Sequence, residues 1–249
     1  MNTKSWVIFG AVCVLLFGGL IYFSKQNRVS VDLNGVDVNK VIAASDQNGN
    51  IADHTLGNPN GKVVLIEYGD IQCPSCGGAH PGIKKIAEDY GDKIGFIFRN
   101  FPLTSAHPNA VAAATAAEAA GLQGKYWEMH NTLFVDQNTW SGLSADQRTA
   151  KFVEYAKLSG VADDTKFKID LTNSTIASKI GFDQAVARQK SVSATPTFFL
   201  NGEQVDSEVS GNLVKGDATA MRALIDRKLK ENNIEPPVSA AAKTEETAN

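Results

Sequence analysis

The chain has 249 residues, 43% hydrophobic and 20% charged, a balance that describes a folded protein rather than a disordered one. Twenty-four Lys and Arg against 27 Asp and Glu give a net charge of −3, which speaks against nucleic acid as a partner. Three cysteines are too few for a disulfide-built scaffold or a four-thiolate zinc site.

Residues 6–23 (WVIFGAVCVLLFGGLIYF), behind a short tail at 1–5, carry no charge. A helix rising about 1.5 Å per residue would span roughly 27 Å there, close to the hydrocarbon thickness of a bilayer. A cleaved signal peptide has a shorter apolar stretch followed by small residues. This one closes on Leu20, Ile21, Tyr22 and Phe23, so an uncleaved transmembrane anchor is expected. Cys13, inside it, reads as a small apolar residue. Residues 24–50 are polar and read as a linker with one short strand at 29–33. Residues 51–232 suffice for one domain, and 233–249 (NIEPPVSAAAKTEETAN) read as a disordered tail.

Within the domain, residues 62–68 (KVVLIEY) form a β-branched run that predicts a buried strand. A helix follows the cysteine pair to Tyr90, where Gly91 stops it. Residues 93–101 (KIGFIFRNF) alternate as a second strand. The 94 residues from 102 to 195 are mostly helical in character, and Ser144 with Gln147 reads as a capping box. Residues 197–200 (TFFL), Asn201-Gly202 and 204–209 predict a hairpin. A last helix, capped by Asp217, buries Met221, Leu224, Ile225 and Leu229.

The chemistry centres on Cys73-Pro74-Ser75-Cys76, between a strand and a helix. Positions i and i+3 are neighbours on a helix, so the two sulfurs can meet. Cys73 falls at the helix N-terminus, where unpaired N–H groups and the dipole favour a thiolate. Pro74 is tolerated in the first turn because its missing N–H would have had no partner. Thiolate is the nucleophile of disulfide exchange, which makes Cys73 the attacking sulfur and Cys76 the shielded one. The alternative, half of a metal site, finds no zinc-finger spacing among His54, His80, His107 and His130. His80 and His107 read as structural histidines, and Trp127 and Trp140 as packing residues.

Residues 51–232 resemble the thioredoxin superfamily, in particular the DsbA-type thiol oxidoreductases. Four features carry the resemblance: Glu67 six residues before Cys73, the Cys73–Cys76 pair, Pro81 five residues past Cys76, and Thr195-Pro196 before TFFL. The stretch FRNFPLTSAHPNAVAAATAAEAAG with WEMHNTLF is also similar to the helical insertion of that branch. The fold implied is α/β: a thioredoxin fold with a helical insertion at 102–195, preceded by one transmembrane helix. The resemblance further implies a buried acid at Glu67 that relays the Cys76 proton, and a cis-proline loop at Thr195 and Pro196 that pairs with an extended substrate. It implies disulfide donation to reduced exported proteins on the extracytoplasmic side of a cell membrane. A membrane redox partner would recharge the pair, with no soluble cofactor, no metal and no nucleic acid. Ser75 departs from the His of the strongly oxidising members. It brings no positive charge, so a milder oxidant is expected. A reductase or isomerase of the same fold, and a redox-inactive peptide-binding module, are the alternatives.

Overall fold

The computed structural model describes residues 9, 10, 12–15, 17–19 and 31–237. Contacts divide the chain into two units, Met1–Leu33 and Asn34–Asn249. In the first, the described positions between 9 and 19 are helical, and Val14, Leu15 and Phe17 are exposed. Among the described residues no helix is long and apolar enough to cross a membrane. Much of the anchor expected at 6–23 lies outside the described residues, as do positions 29 and 30 of the expected strand; residues 31–33 form no strand.

The second unit is built on a five-stranded sheet of order β1-β3-β2-β4-β5. Its central strands are β2 (Val64–Gly69) and β3 (Gly95–Asn100), buried at every position. An apolar run without alternation suits a strand covered on both faces. These two pair in parallel, Val64 opposite Gly95 through Gly69 opposite Asn100, joined by helix α1 (Pro74–Tyr90). Edge strand β1 (Thr55–Gly57) runs antiparallel to β3. On the other side β4 (Thr197–Leu200) runs antiparallel to β2 and turns into β5 (Glu203–Gln204). Asn201 and Gly202 make that turn at φ +50° and +83°, the left-handed pair that a two-residue hairpin needs.

Between β3 and β4 lie six helices: α2 (Ala110–Gly121), α3 (Tyr126–Val135), α4 (Gln137–Trp140), α5 (Ala145–Leu158), α6 (Asp164–Asp170) and α7 (Ser174–Gln189). Alanines on α2 are almost all buried. Trp140 is fully buried, its indole N–H donating to the Leu133 carbonyl. After β5 come α8 (Ser207–Val214) and α9 (Thr219–Glu231).

Three expectations are corrected. Residues 205–209 continue no strand, because the Asp206 carboxylate accepts from the Glu208 N–H and caps α8. Val209 and Leu213, four apart, face the core at helical spacing. The expected linker is folded from Asn34 onward: Ile42 and Asn48 are buried, and the Asn48 amide accepts from Ser45 N–H and donates to Ala43 O. At the other end, Asn233 at φ +58° ends α9, and Ile234 packs on the core, so the expected tail begins inside the domain; residues 238–249 lie outside the described residues.

A buried charged cluster ties these layers together. Arg99 on β3 reaches Asp53 at 2.7 Å and donates to the carbonyls of Val38 and Lys40 at 2.5 and 2.7 Å. Lys179 on α7 bridges Asp53 and Asp183 at 2.8 Å each. All four side chains are at most 1% exposed.

Candidate active site

Cys73 is the N-cap of α1 and Pro74 opens the helix. The Cys73 thiol lies 3.5 Å from the Thr195 carbonyl, to which it donates, and Thr195–Pro196 is a cis peptide. Cys76, one turn deeper, is completely buried, and the Asp70 N–H points at its sulfur from 3.5 Å. Glu67, 3% exposed, sits on β2 between Phe98 of β3 and Phe198 of β4. No cation reaches it from either strand.

The electrostatics follow from this placement. Cys73 is lowered to about 5, first by a hydrogen bond from Cys76 and, against burial, also by the Thr195 side chain and the N–H groups of Cys76 and Ser75. At pH 7 that leaves roughly a hundred thiolates per thiol. Cys76 moves the other way, pushed up by burial and by its hydrogen bond to Cys73. Burial, then the Cys73 charge, raises Glu67 to about 8, against a hydrogen bond from Cys76. The site therefore holds one nucleophilic sulfur, one protonated sulfur and one carboxyl poised to exchange a proton near neutrality.

Sequence reading missed the side chains that fix the loop leading to Cys73. The Asp70 carboxylate accepts from Gln72 N–H and Leu103 N–H at 2.8 Å and pairs with His107 Nδ1 at 2.7 Å. Gln72 donates to Ser141 O and accepts from Asn109 N–H. Gln137 on α4 donates to Ile71 O at 2.7 Å and Cys73 O at 3.0 Å. Apart from the local Asp70–Gln72 turn, these partners lie 33 to 69 residues apart in sequence, so local spacing carried no signal for them. His80 is buried against Phe134 and His130. Burial, then the Lys84 charge, lowers it to about 4, so it is neutral at pH 7. Among the described residues no group of three or more His, Cys, Asp or Glu is placed to hold a metal.

Beside the sulfurs runs a groove of about 460 Å³ lined by Ser75, Thr195, Pro196, Thr197 and, across it, Val214 and Lys215. Two glycines of α1 admit close neighbours. A Cβ on Gly78 would lie 2.7 Å from the Val214 carbonyl, and one on Gly77 2.7 Å from the Gln137 Oε1.

The thioredoxin family profile matches residues 49–216. Among solved structures, BdbD from Bacillus subtilis in its oxidised form superposes with a TM-score of 0.61 at 22% identity, over 77% of this chain and 99% of that one. Alpha-DsbA1 of Wolbachia pipientis gives 0.58 at 25% identity, over 72% and 92%. The thiol-disulfide exchange protein alpha-DsbA2 of the same organism gives 0.58 at 22%, over 73% and 90%. Curated relatives include the Na(+)/H(+) antiporter NhaA 3 of Salinispora tropica, 35% identical over 78% of this chain but 28% of that protein. Another, NhaA 1 of Salinispora arenicola, is 40% identical over 61% of this chain and 22% of that one. The chain spans under a third of the length of these relatives, whose names describe the whole proteins. A sheet of this order, a cysteine pair at the mouth of α1 and the match over residues 49–216 agree: the chain belongs to the thioredoxin family.

Proposed function

We propose that this protein is a thiol–disulfide oxidoreductase that donates disulfides to reduced exported proteins. In this reading residues 6–23 anchor it in the cell membrane, the domain faces the extracytoplasmic side, and a membrane redox partner recharges the pair. The observation that carries the reading is the asymmetry of the two sulfurs. A thiolate at Cys73 stabilises the dithiol and so makes the disulfide easier to give away. With Cys73 near 5, the reduced form gains about 2.7 kcal/mol at pH 7, equivalent to about 60 mV for two electrons.

Each cycle begins with a substrate thiolate attacking Cys73 Sγ of the disulfide, which releases Cys76 as the leaving thiolate. Glu67, holding a proton, supplies it to Cys76. A second substrate thiolate then attacks the substrate sulfur of the mixed disulfide and expels Cys73, which leaves readily because its thiolate is stable. The groove beside Thr195 and Pro196 would hold the substrate as an extended chain. Thr195 before the proline favours a second reading, a reductase or isomerase, since the family's isomerases often have Thr there.

The test mixes oxidised protein with a reduced, unfolded substrate and follows disulfide formation by alkylation and mass. We expect substrate disulfides to form from the oxidised pair. Cys76→Ser holds no disulfide to donate and should form none; offered a substrate disulfide, it should accumulate mixed disulfides through Cys73 as the displaced substrate thiol is released. Exclusive reduction of substrate disulfides, with the pair found as dithiol in cells, would move the assignment to the second reading.

A further inference from the structure

We propose that Gln137, on the helical insertion, is a positioning residue that sets the reactivity of Cys73. The inference deepens the oxidoreductase reading and rests on it. Three observations support it. Gln137 donates its amide N–H groups to two carbonyls of the nucleophile loop, Ile71 O at 2.7 Å and Cys73 O at 3.0 Å. Its own residue exposure is 9%, so water does not replace those bonds freely. The helix side is cut to fit it: a side chain at Gly77 would strike the Gln137 carboxamide.

The physical link to the sulfur runs through the backbone. The N–H groups of Ser75 and Cys76 are among the donors that hold the Cys73 thiolate, and their direction depends on how the loop enters α1. The Cys73 carbonyl also accepts from the Gly77 N–H at 3.0 Å. Gln137 thus anchors the same peptide oxygen that closes the first turn, from outside the helix. Donors aimed at a partly negative carbonyl beside a thiolate also remove some of its repulsion. Gln72 strengthens the docking by donating to Ser141 O and accepting from Asn109 N–H, both in the insertion. The insertion is therefore a tuning element for the nucleophile as well as a wall of the domain. Gln137 bonds to the carbonyls of Ile71 and Cys73 and acts on the sulfur through the loop.

Two variants reach this contact from opposite sides. Gln137→Leu keeps the volume and removes both donors. Gly77→Ala leaves Gln137 present but displaces its amide. In full-length reduced protein carrying Cys13→Ser throughout, the pH dependence of Cys73 alkylation by iodoacetamide gives the thiol midpoint directly, with Cys76→Ser as a background that reports one sulfur. Because that change removes the Cys76 hydrogen bond, shifts are read against Cys76→Ser alone. Each variant is expected to raise the midpoint by about one pH unit, and the double variant to raise it no further, since both break one contact. Thermal unfolding and circular dichroism identify folded samples. If Gln137→Leu cannot fold, Gly77→Ala alone decides. An unchanged midpoint in a folded variant, or shifts that add in the double, overturns the proposal. Failure of the oxidoreductase reading would be seen separately, as a chain with unaltered sequence that exchanges no disulfide with substrate whatever its thiol midpoint.

Discussion

Glu67 and Asp53 are buried to nearly the same degree in one domain, 3% and 7% exposed as whole residues, and their carboxylates end in opposite states. Asp53 would be raised by burial, but Lys179 and Arg99 overcome this and hold it well below the ordinary carboxylate range. Glu67 has phenylalanines as cross-strand neighbours on both sides and is pushed up to about 8. Burial sets how strongly a charge is felt; the neighbours decide its sign. One site is locked by its partners, and the other is left poised for proton exchange. Asp183 lies between the two cases. Burial raises it to about 6 against the pull of Lys179, with Asp53 and Glu118 adding to the rise.

The largest effect should come from breaking the locked site. Asp53→Ala leaves Arg99 and Lys179 buried without their shared partner and should cost about 3–5 kcal/mol. Urea unfolding at pH 7 measures this. The Cys73 alkylation midpoint of the folded fraction should stay near 5, because the cluster is not among the groups that set it.

Next comes removal of the poised acid. An acid whose folded pKa lies above its unfolded value keeps its proton longer in the native state, so stability is lost as pH rises between the two. For Glu67 that window runs from about 4.5 to about 8. Glu67→Leu should therefore be more stable than the parent chain at pH 9, by roughly 2–4 kcal/mol relative to their difference at pH 5. Denaturation of the dithiol forms at both pH values checks it. A constant difference would mean that Glu67 is already ionised at low pH. In substrate assays the same variant should slow the step that releases Cys76.

A smaller change would carry the logic of the locked site to the sulfurs. Ser75→His places an imidazolium near the Cys73 thiolate at an exposed position. Solvent screening limits the gain to about 0.5–1 kcal/mol, or about 10–20 mV toward a stronger oxidant. Equilibration with glutathione buffers at pH 6, where the histidine is largely charged, measures the potential.

The residues in and beside the cysteine motif were legible because their relation is local. A β-branched run, then Cys73-Pro74-Ser75-Cys76, then a helix stopped by Gly91 can be read from spacing alone. The burial of Glu67 entered through the resemblance, and its cross-strand neighbours Phe98 and Phe198 are not written in its own neighbourhood. Thr195 and Pro196 entered through the resemblance, since nothing in their own neighbourhood points at a sulfur 122 residues away. What stayed hidden was long-range polar pairing. Lys179 and Asp183 have the i, i+4 spacing of an ordinary surface pair, yet both are buried and Lys179 meets Asp53 from 126 residues off. Helix α8 was hidden for a different reason. The Asn201-Gly202 turn predicts a strand running to residue 209, and Asp206 ends that strand after Gln204 by capping a helix.

The bonds from Arg99 to Val38 O and Lys40 O bear on where this chain can be cut. The family match starts at residue 49, and a recombinant fragment trimmed to that point would strip two acceptors from a guanidinium that is otherwise sealed from water. It would also discard Ile42, whose N–H occupies an Asp53 oxygen. A fragment starting at Asn34 retains every one of these partners. The boundary by which the fold is recognised therefore falls inside the boundary by which it is held together, and expression work should follow the second.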